Sequence, residues 1–259
     1  MDKRRQTQLH SYLDELGLTT VKKRYTDIAQ KARKDLWGYE EYLLEGVKEE
    51  SEIRRNRRID RLLHQSRLPL EKRLDTFERN RLPNKVRHQI NILAEGKFLE
   101  NNENILIFGN PGSGKTHLIC ALGQALIRQD KRVYFSTCAL LLQELLAAKR
   151  DLKLPKLFKK LNRYHAIIID DIGYVHQDKE EMEVLFTLLA QRYERGSVMI
   201  TSNLPFSRWE NIFKDPVMTA ATIDRIVHHS IIIELNVLSY RISAAKNRQD
   251  DKSNYLTQA

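Results

Sequence analysis

A chain of 259 residues with a formal net charge of +10 holds one large domain, or one medium domain with an appendage, and is long enough to bury a substantial core. Its two cysteines, Cys120 and Cys138, form no C-x-x-C pair, which excludes a disulfide framework and fits a reducing compartment. The basic start MDKRRQTQLH leads into no apolar stretch, and no run approaches the roughly 18 apolar residues of a membrane span, so neither a signal peptide nor a membrane partner is expected and a cytoplasmic protein is.

Residues 1–67 read as an all-helical domain. Leu9, Tyr12, Leu13 and Leu16 form an apolar stripe that stops near Gly17, and Val21, Tyr25, Ile28, Ala29 and Ala32 form a second. A third, longer helix is predicted after Trp37-Gly38, with Tyr39, Leu43, Leu44 and Val47 on one side. It continues from Ile53 to Leu68, where Arg54, Arg55, Arg57, Arg58 and Arg61 make a basic face. Leu68-Pro69-Leu70 breaks the pattern, and residues 68–87 read as a basic connector with Pro83 as a second breaker.

From residue 88 to 259 helices and strands alternate. A helix over Val86–Ala94 precedes a first strand, Ile105–Phe108. Gly109-Asn110-Pro111-Gly112-Ser113-Gly114-Lys115-Thr116 then matches G-x-x-x-x-G-K-[ST] in full, and an apolar helical pattern runs from His117 to Gln129. Strand, glycine loop and helix are the setting in which backbone N–H groups and a helix N-terminus cradle phosphate. Lys115 is expected at the β- and γ-phosphates of ATP, and the Thr116 hydroxyl on Mg²⁺. A second strand, Val133–Ser136, a helix over Leu140–Lys149 and a basic stretch with Pro155 follow.

Ala166–Asp170 is the third strand. Its end, Asp170-Asp171, supplies the acids such a loop needs: Asp170 to hold Mg²⁺ through water with Thr116, and Asp171 to orient or deprotonate the attacking water. A helix over Met182–Tyr193 leads to a fourth strand, Ser197–Thr201, after which Asn203 can help place that water. Helices are predicted around Trp209 and over Thr219–His228, and a fifth strand over Ser230–Leu235. Arg225, just before that strand, can reach a neighbouring copy's nucleotide as a finger in trans. Adjacent helical residues do not share a face, so His228-His229 makes no metal site. Continuously apolar strands separated by helices indicate a five-stranded parallel sheet covered on both faces, an α/β fold.

The charge is clustered. Ile53–Arg87 carries twelve Lys/Arg against four Asp/Glu, and Lys149–Arg163 seven against one. Two such patches beside a phosphate loop favour nucleic acid. Lys149, Arg150, Lys153, Lys156, Lys159 and Lys160 form the second candidate DNA surface, with the arginines from Arg54 to Arg61 the first. Neither patch is interleaved with aromatics, which favours backbone contact to duplex over base stacking on a single strand.

The chain resembles AAA+ ATPases of the replication-initiator and helicase-loader clade, and within it the IstB-type transposition helpers, relatives of DnaC. The residues that carry the resemblance are Gly109 to Leu118 (with His117 at the nucleotide), Ile168 to Tyr174, Thr201 to Phe206 with Trp209, and Ile223-Asp-Arg-Ile-Val-His-His229 followed by Ile231 to Leu235, with Tyr39 to Leu44 in the helical part. The resemblance implies a bacterial ATPase encoded with a transposase. Such a protein assembles as a homo-oligomer on double-stranded target DNA when ATP is bound, deforms the DNA and recruits or activates the transposase. It implies the roles given above for Lys115, Thr116, Asp170, Asp171, Asn203 and Arg225, and extra helical sequence between the second and third strands.

Two departures stand out. The acidic pair is Asp-Asp where the general AAA+ pattern has Asp-Glu, and only 24 residues follow Leu235, too few for the usual helical lid. Arg241 is a candidate substitute for the lid's arginine, and a nucleotide without a lid would be covered by a second protomer, linking ATP to assembly. The competing readings are a helicase loader binding single-stranded DNA, a small-molecule kinase, and a DNA-coating protein with an inactive site.

Overall fold

The computed structural model describes residues 2–173, 178–209, 216–236 and 239. The chain divides into two compact units, residues 1–61 and 62–259.

The first unit holds α1 (Lys3–Glu15), α2 (Thr19–Lys34) and residues 39–61 of α3 (Tyr39–Ser66). Gly17, in a left-handed conformation (φ 66°), ends α1, and Leu18 N–H closes back on Leu13 O at 2.7 Å. Leu18, the residue before α2, offers no capping side chain. Glu50 does the capping from α3: its Oε2 accepts Thr20 N–H at 2.7 Å and Val21 N–H at 3.2 Å. Arg54 Nε donates to the other oxygen at 2.8 Å, and its Nη2 reaches Gly17 O at 2.6 Å. Burial alone would raise the Glu50 carboxyl, but the bonds from Arg54, Thr20 and Val21 outweigh it and hold the group below its ordinary value.

The second unit is a five-stranded sheet of β1 (Asn104–Gly109), β2 (Val133–Thr137), β3 (Ala166–Ile172), β4 (Ser197–Ser202) and β5 (Ser230–Leu235), ordered β2-β3-β4-β1-β5 with every pairing parallel. The helices are α4 (Asn84–Ala94), α5 (Lys115–Ile127), α6 (Cys138–Arg150), α7 (Leu154–Leu161), α8 (Lys179–Arg192) and α9 (Pro216–Val227). The isoleucine run of β3 serves both faces: Ile167 and Ile169 enter one core with Leu141, Leu145, Leu185 and Leu188 of α6 and α8, while Ile168 faces Gly123 of α5. Two-sided burial is why the strand reads as a continuous apolar run.

Three segments gain detail beyond the sequence reading. The basic stretch around Pro155 is helix α7, begun by that proline in its first turn and seated by Leu157, Phe158 and Leu161. Before Trp209 lies a 3₁₀ turn, Phe206–Arg208, and Trp209 Nε1–H donates to Leu204 O at 3.2 Å; the rest of the helix expected around Trp209 falls on residues 210–215, outside the described ones. The connector is ordered against α5. Leu68 and Leu82 are buried, and Gln124 Nε2 of α5 donates to Pro69 O (3.0 Å) and Lys72 O (2.9 Å). The expected lack of a lid and the candidate Arg241 concern residues outside those described.

Arg192, 1 % exposed, ends α8 and holds the β3 and β4 entrances together. Its guanidinium donates to Tyr164 O (2.9 Å), His165 O (3.1 Å) and Ser197 O (3.0 Å), and burial lowers its pKa to about 10.

Candidate active site

β1 runs out at Gly109 and α5 starts at Lys115, so the glycine loop must turn the chain within five residues. Gly112 and Gly114 do it in left-handed conformations (φ 80° and 96°), where a side chain would be strained. The loop leads straight into the N-terminus of α5, a site built to hold anions. Lys115 is 7 % exposed, and its ammonium donates to Gly109 O (2.8 Å) and Asn110 O (3.0 Å). Ser113 Oγ is buried with no hydrogen-bond partner among the described residues. Asn110 and Pro111 are exposed at the outer bend.

Across the sheet, β3 pairs with β4 in register up to Ile169↔Ile200, and the next pair is Ile172↔Ser202. Asp170 and Asp171 therefore stand opposite the single residue Thr201, as a β-bulge. Asp171 takes a left-handed conformation (φ 66°). Asp170, 5 % exposed, accepts two hydroxyl bonds on Oδ1: from Thr116 Oγ1 of the glycine loop (3.0 Å) and from Thr201 Oγ1 (2.6 Å). Asp171 N–H donates to the same Thr201 oxygen at 2.7 Å.

The loop residues Gly112, Ser113, Gly114, Lys115, Thr116 and His117 share a cavity of about 610 Å³ with Asp170 and Asp171. The opposite wall is a strap within the connector, formed by Lys72, Thr76, Phe77, Glu78, Arg81 and Leu82. A Cβ placed on Gly114 would come within 3.0 Å of Phe77 Cε2, so ring and loop are in close contact. His117 turns toward this strap: its Nε2 donates to Arg73 O at 2.9 Å and lies 3.2 Å from Thr76 Oγ1, with the Phe77 ring centroid 5.3 Å away. Sequence reasoning missed the strap and Thr201. A lone phenylalanine in a basic connector is the trace of the strap, and Thr201 stands in the sequence as the end of an apolar strand and the start of the Thr201 to Phe206 stretch, with no role of its own.

Other expected residues lie outside this cavity. Asn203 follows β4, level with Gly109 at the same sheet edge, and its Oδ1 is buried without a hydrogen-bond partner among the described residues. Arg225 lies on α9 with its guanidinium 5.1 Å from the Phe186 ring centroid. Tyr174 is not among the described residues.

The second basic patch gathers at α6 and α7. Lys153, Lys156, Lys159, Lys160 and Arg163 rim a shallow cavity of about 710 Å³ over Ala147, Ala148 and Leu157. Three lysines have acidic neighbours: Lys149 with Glu180 (3.1 Å), Lys153 with Asp151 (2.9 Å) and Lys160 with Glu144 (3.7 Å). Exposed pairs of this kind contribute about 0–1 kcal/mol and re-form readily. Arg150 is exposed at the end of α6. In the first patch Arg54, Arg55, Arg57, Arg58 and Arg61 are all exposed, and Arg54 also bonds Glu50 and Gly17.

Residues 11–248 match the family described as IstB-like ATP binding protein. A putative insertion sequence ATP-binding protein of Sinorhizobium fredii is 40% identical over 241 residues, 93% of this chain and 81% of that protein. The putative ATP-binding protein of insertion sequence IS5376 from Geobacillus stearothermophilus is 34% identical over 95% of this chain and 97% of its own length. Among solved structures, the DnaC helicase loader superposes with a TM-score of 0.55 at 20% identity, covering 64% of this chain and 97% of that one. DnaA from Aquifex aeolicus superposes at 0.54 and 18%, covering 71% and 56%. These last two likenesses concern the fold. The chain belongs to the IstB-like ATP-binding protein family and is an ATPase built on the AAA+ phosphate-loop fold.

Proposed function

We propose that this ATPase is the helper of a DNA transposition system, which assembles as a homo-oligomer on double-stranded target DNA in its ATP-bound state, deforms it and recruits or activates a cognate transposase. The observation that carries the reading is the pairing, within one unit, of the Lys115–Thr116–Asp170–Asp171 cavity with a second surface rimmed by Lys153, Lys156, Lys159, Lys160 and Arg163. Identity of 34–40% to insertion sequence ATP-binding proteins supports it.

In this reading the triphosphate takes the loop amides, Ser113 and the Lys115 ammonium, which the loop's own carbonyls hold ready. Thr116 and Asp170 fit Mg²⁺: they are oxygen donors 3.0 Å apart, and Asp170 Oδ2 accepts no bond among the described residues. When bound, that ion would neutralise charge on the phosphate oxygens. Asp171 accepts the proton of the attacking water, and Asn203 Oδ1 can accept a hydrogen bond that orients it. Arg225, on the flank of the fold, serves the site of the next protomer, so ATP binding and assembly strengthen each other. The protein acts in the bacterial cytoplasm; among the described residues no helix is long and apolar enough to cross a membrane.

Duplex binding with and without ATP tests the reading. The protein is expected to coat duplex only with ATP or a non-hydrolysable analogue, and affinity is expected to fall by about 10³-fold or more between roughly 50 and 200 mM salt. Equal coating without nucleotide, or a flat salt response, rejects it. The alternative, a helicase loader, is supported by the fold shared with the DnaC helicase loader. Preference for single-stranded DNA and capture of a replicative helicase in place of the transposase would decide for it.

A further inference from the structure

Two consecutive acids pose a geometric problem for the site. Along a regular strand successive side chains point to opposite faces, so a strict strand would send Asp170 and Asp171 apart. Both nevertheless line the phosphate cavity. The bulge removes the alternation: two residues of β3 stand where β4 supplies one. A bulge carries its own cost, because the extra residue's N–H loses its ladder partner, and here Asp171 is also held in a left-handed conformation that non-glycine residues resist.

Thr201 answers both problems with one atom. Its Oγ1 accepts the displaced Asp171 N–H at 2.7 Å and donates its single proton to Asp170 Oδ1 at 2.6 Å. The residue is fully buried between the two acids' strand and the phosphate-loop strand, opposite Ile107 of β1, so the hydroxyl has no solvent to turn to. Thr116 reaches the same Oδ1 from the loop at 3.0 Å. One hydroxyl thus fixes the acid assigned to the cation and the backbone of the acid assigned to the water.

We propose that Thr201 is a positioning residue for ATP hydrolysis: it pins the bulge that brings Asp171 into the phosphate cavity beside Asp170. This rests on the reading of Asp171 as the residue that handles the attacking water. It also gives the short Asp-Asp pair a physical basis, since the bulge, and not a longer side chain, supplies the reach.

The test is a cycle of Thr201→Val, Thr201→Ser, Asp171→Asn and the Thr201→Val/Asp171→Asn double variant in the full chain. Phosphate release, binding of a fluorescent ATP analogue and thermal unfolding are measured for each. Valine keeps the shape and removes both bonds, so turnover is expected to fall about 10²-fold, as for a catalytic group displaced by about an ångström. Nucleotide affinity should stay within about threefold, and serine should restore turnover to within about threefold of the parent, because both keep the groups that bind ground-state ATP. Thr116 still holds Asp170 Oδ1 when the Thr201 hydroxyl is gone, so Thr201 acts mainly through Asp171, and adding valine to Asp171→Asn should slow it little further.

Equal slowing by valine in both backgrounds, or parental turnover in Thr201→Val, overturns the proposal while leaving Asp171 its role. Parental turnover in Asp171→Asn overturns that role, and the proposal with it. If Thr201→Val does not fold, Thr201→Ala is carried through the same cycle with the same outcomes decisive.

Discussion

Among the described residues each unit buries one carboxylate, and the two are satisfied in opposite ways. Glu50, 3 % exposed, receives two backbone N–H groups and a guanidinium, so its charge is neutralised inside the bundle. Asp170, 5 % exposed, receives two neutral hydroxyls on one oxygen, at the edge of a cavity that Lys115 also lines. A buried acid closed by amides and a cation is structural, because its partners are already present. An acid oriented by hydroxyls and left short of positive charge is built to meet a cation from outside.

The sharpest test of that contrast is to neutralise both acids and exchange the readouts. Asp170→Asn keeps the shape and can still accept from Thr116 and Thr201. Phosphate release is expected to fall by about 10³-fold, as when an electrostatic group at a reacting phosphate is removed. Unfolding should change by less than about 1 kcal/mol, within the range of substitutions that break no buried structural pair. A large loss of stability with turnover intact would make Asp170 a second Glu50.

How far the sequence announces each acid follows from what surrounds it. The glycine loop and the strands were legible because their patterns are local: eight consecutive residues for the loop, and apolar runs such as Ile167-Ile168-Ile169 for the sheet. Asp170-Asp171 was legible as a strand end. The bulge was not, because it is a fact about register between β3 and β4, and only pairing reveals that two residues face one. The strap was illegible for a related reason. It is held by Gln124 and His117 donating to main-chain carbonyls of residues 69, 72 and 73, and any sequence presents those carbonyls. His117 could be placed beside the phosphate loop from its position, but not turned toward Arg73 and Thr76. Nothing local marks Glu50: its role as cap for α2 depends on a helix crossing that no periodicity encodes.

The same distinction, engaged against available, separates the cations. Arg54 is spent within the bundle, whereas Lys156 and Lys159 are exposed and have no ion pair among the described residues. Charge reversal at Lys156 and Lys159 is expected to weaken duplex binding by roughly tenfold each near 0.1 M salt. It should also reduce the slope of log affinity against log salt by about one for every phosphate that is no longer neutralised. ATP turnover without DNA should be unchanged. An unchanged slope would remove α7 from the DNA surface and leave the arginines of α3 as the remaining candidates.

The smallest effect is expected at Glu50, and it is the one that fixes the meaning of the comparison. Glu50→Gln leaves a neutral acceptor for Thr20 N–H and Val21 N–H but breaks the charge pairing with Arg54. The loss should be about 1–2 kcal/mol, the difference between hydrogen bonds to a charged and to a neutral acceptor, with ATP turnover at the parental rate. Amide hydrogen exchange at Thr20 and Val21 reads this locally, and about tenfold faster exchange is expected there, since these amides open with the start of α2. The sign with pH follows from the lowered carboxyl. The ionised form is favoured in the folded bundle, so the parent's advantage over Glu50→Gln is full at neutral pH. It shrinks as pH falls from the ordinary carboxylate value through the lower folded one. An advantage that persisted into strong acid would mean that shape, and not charge, holds α2 in place, and the contrast with Asp170 would then reduce to position alone.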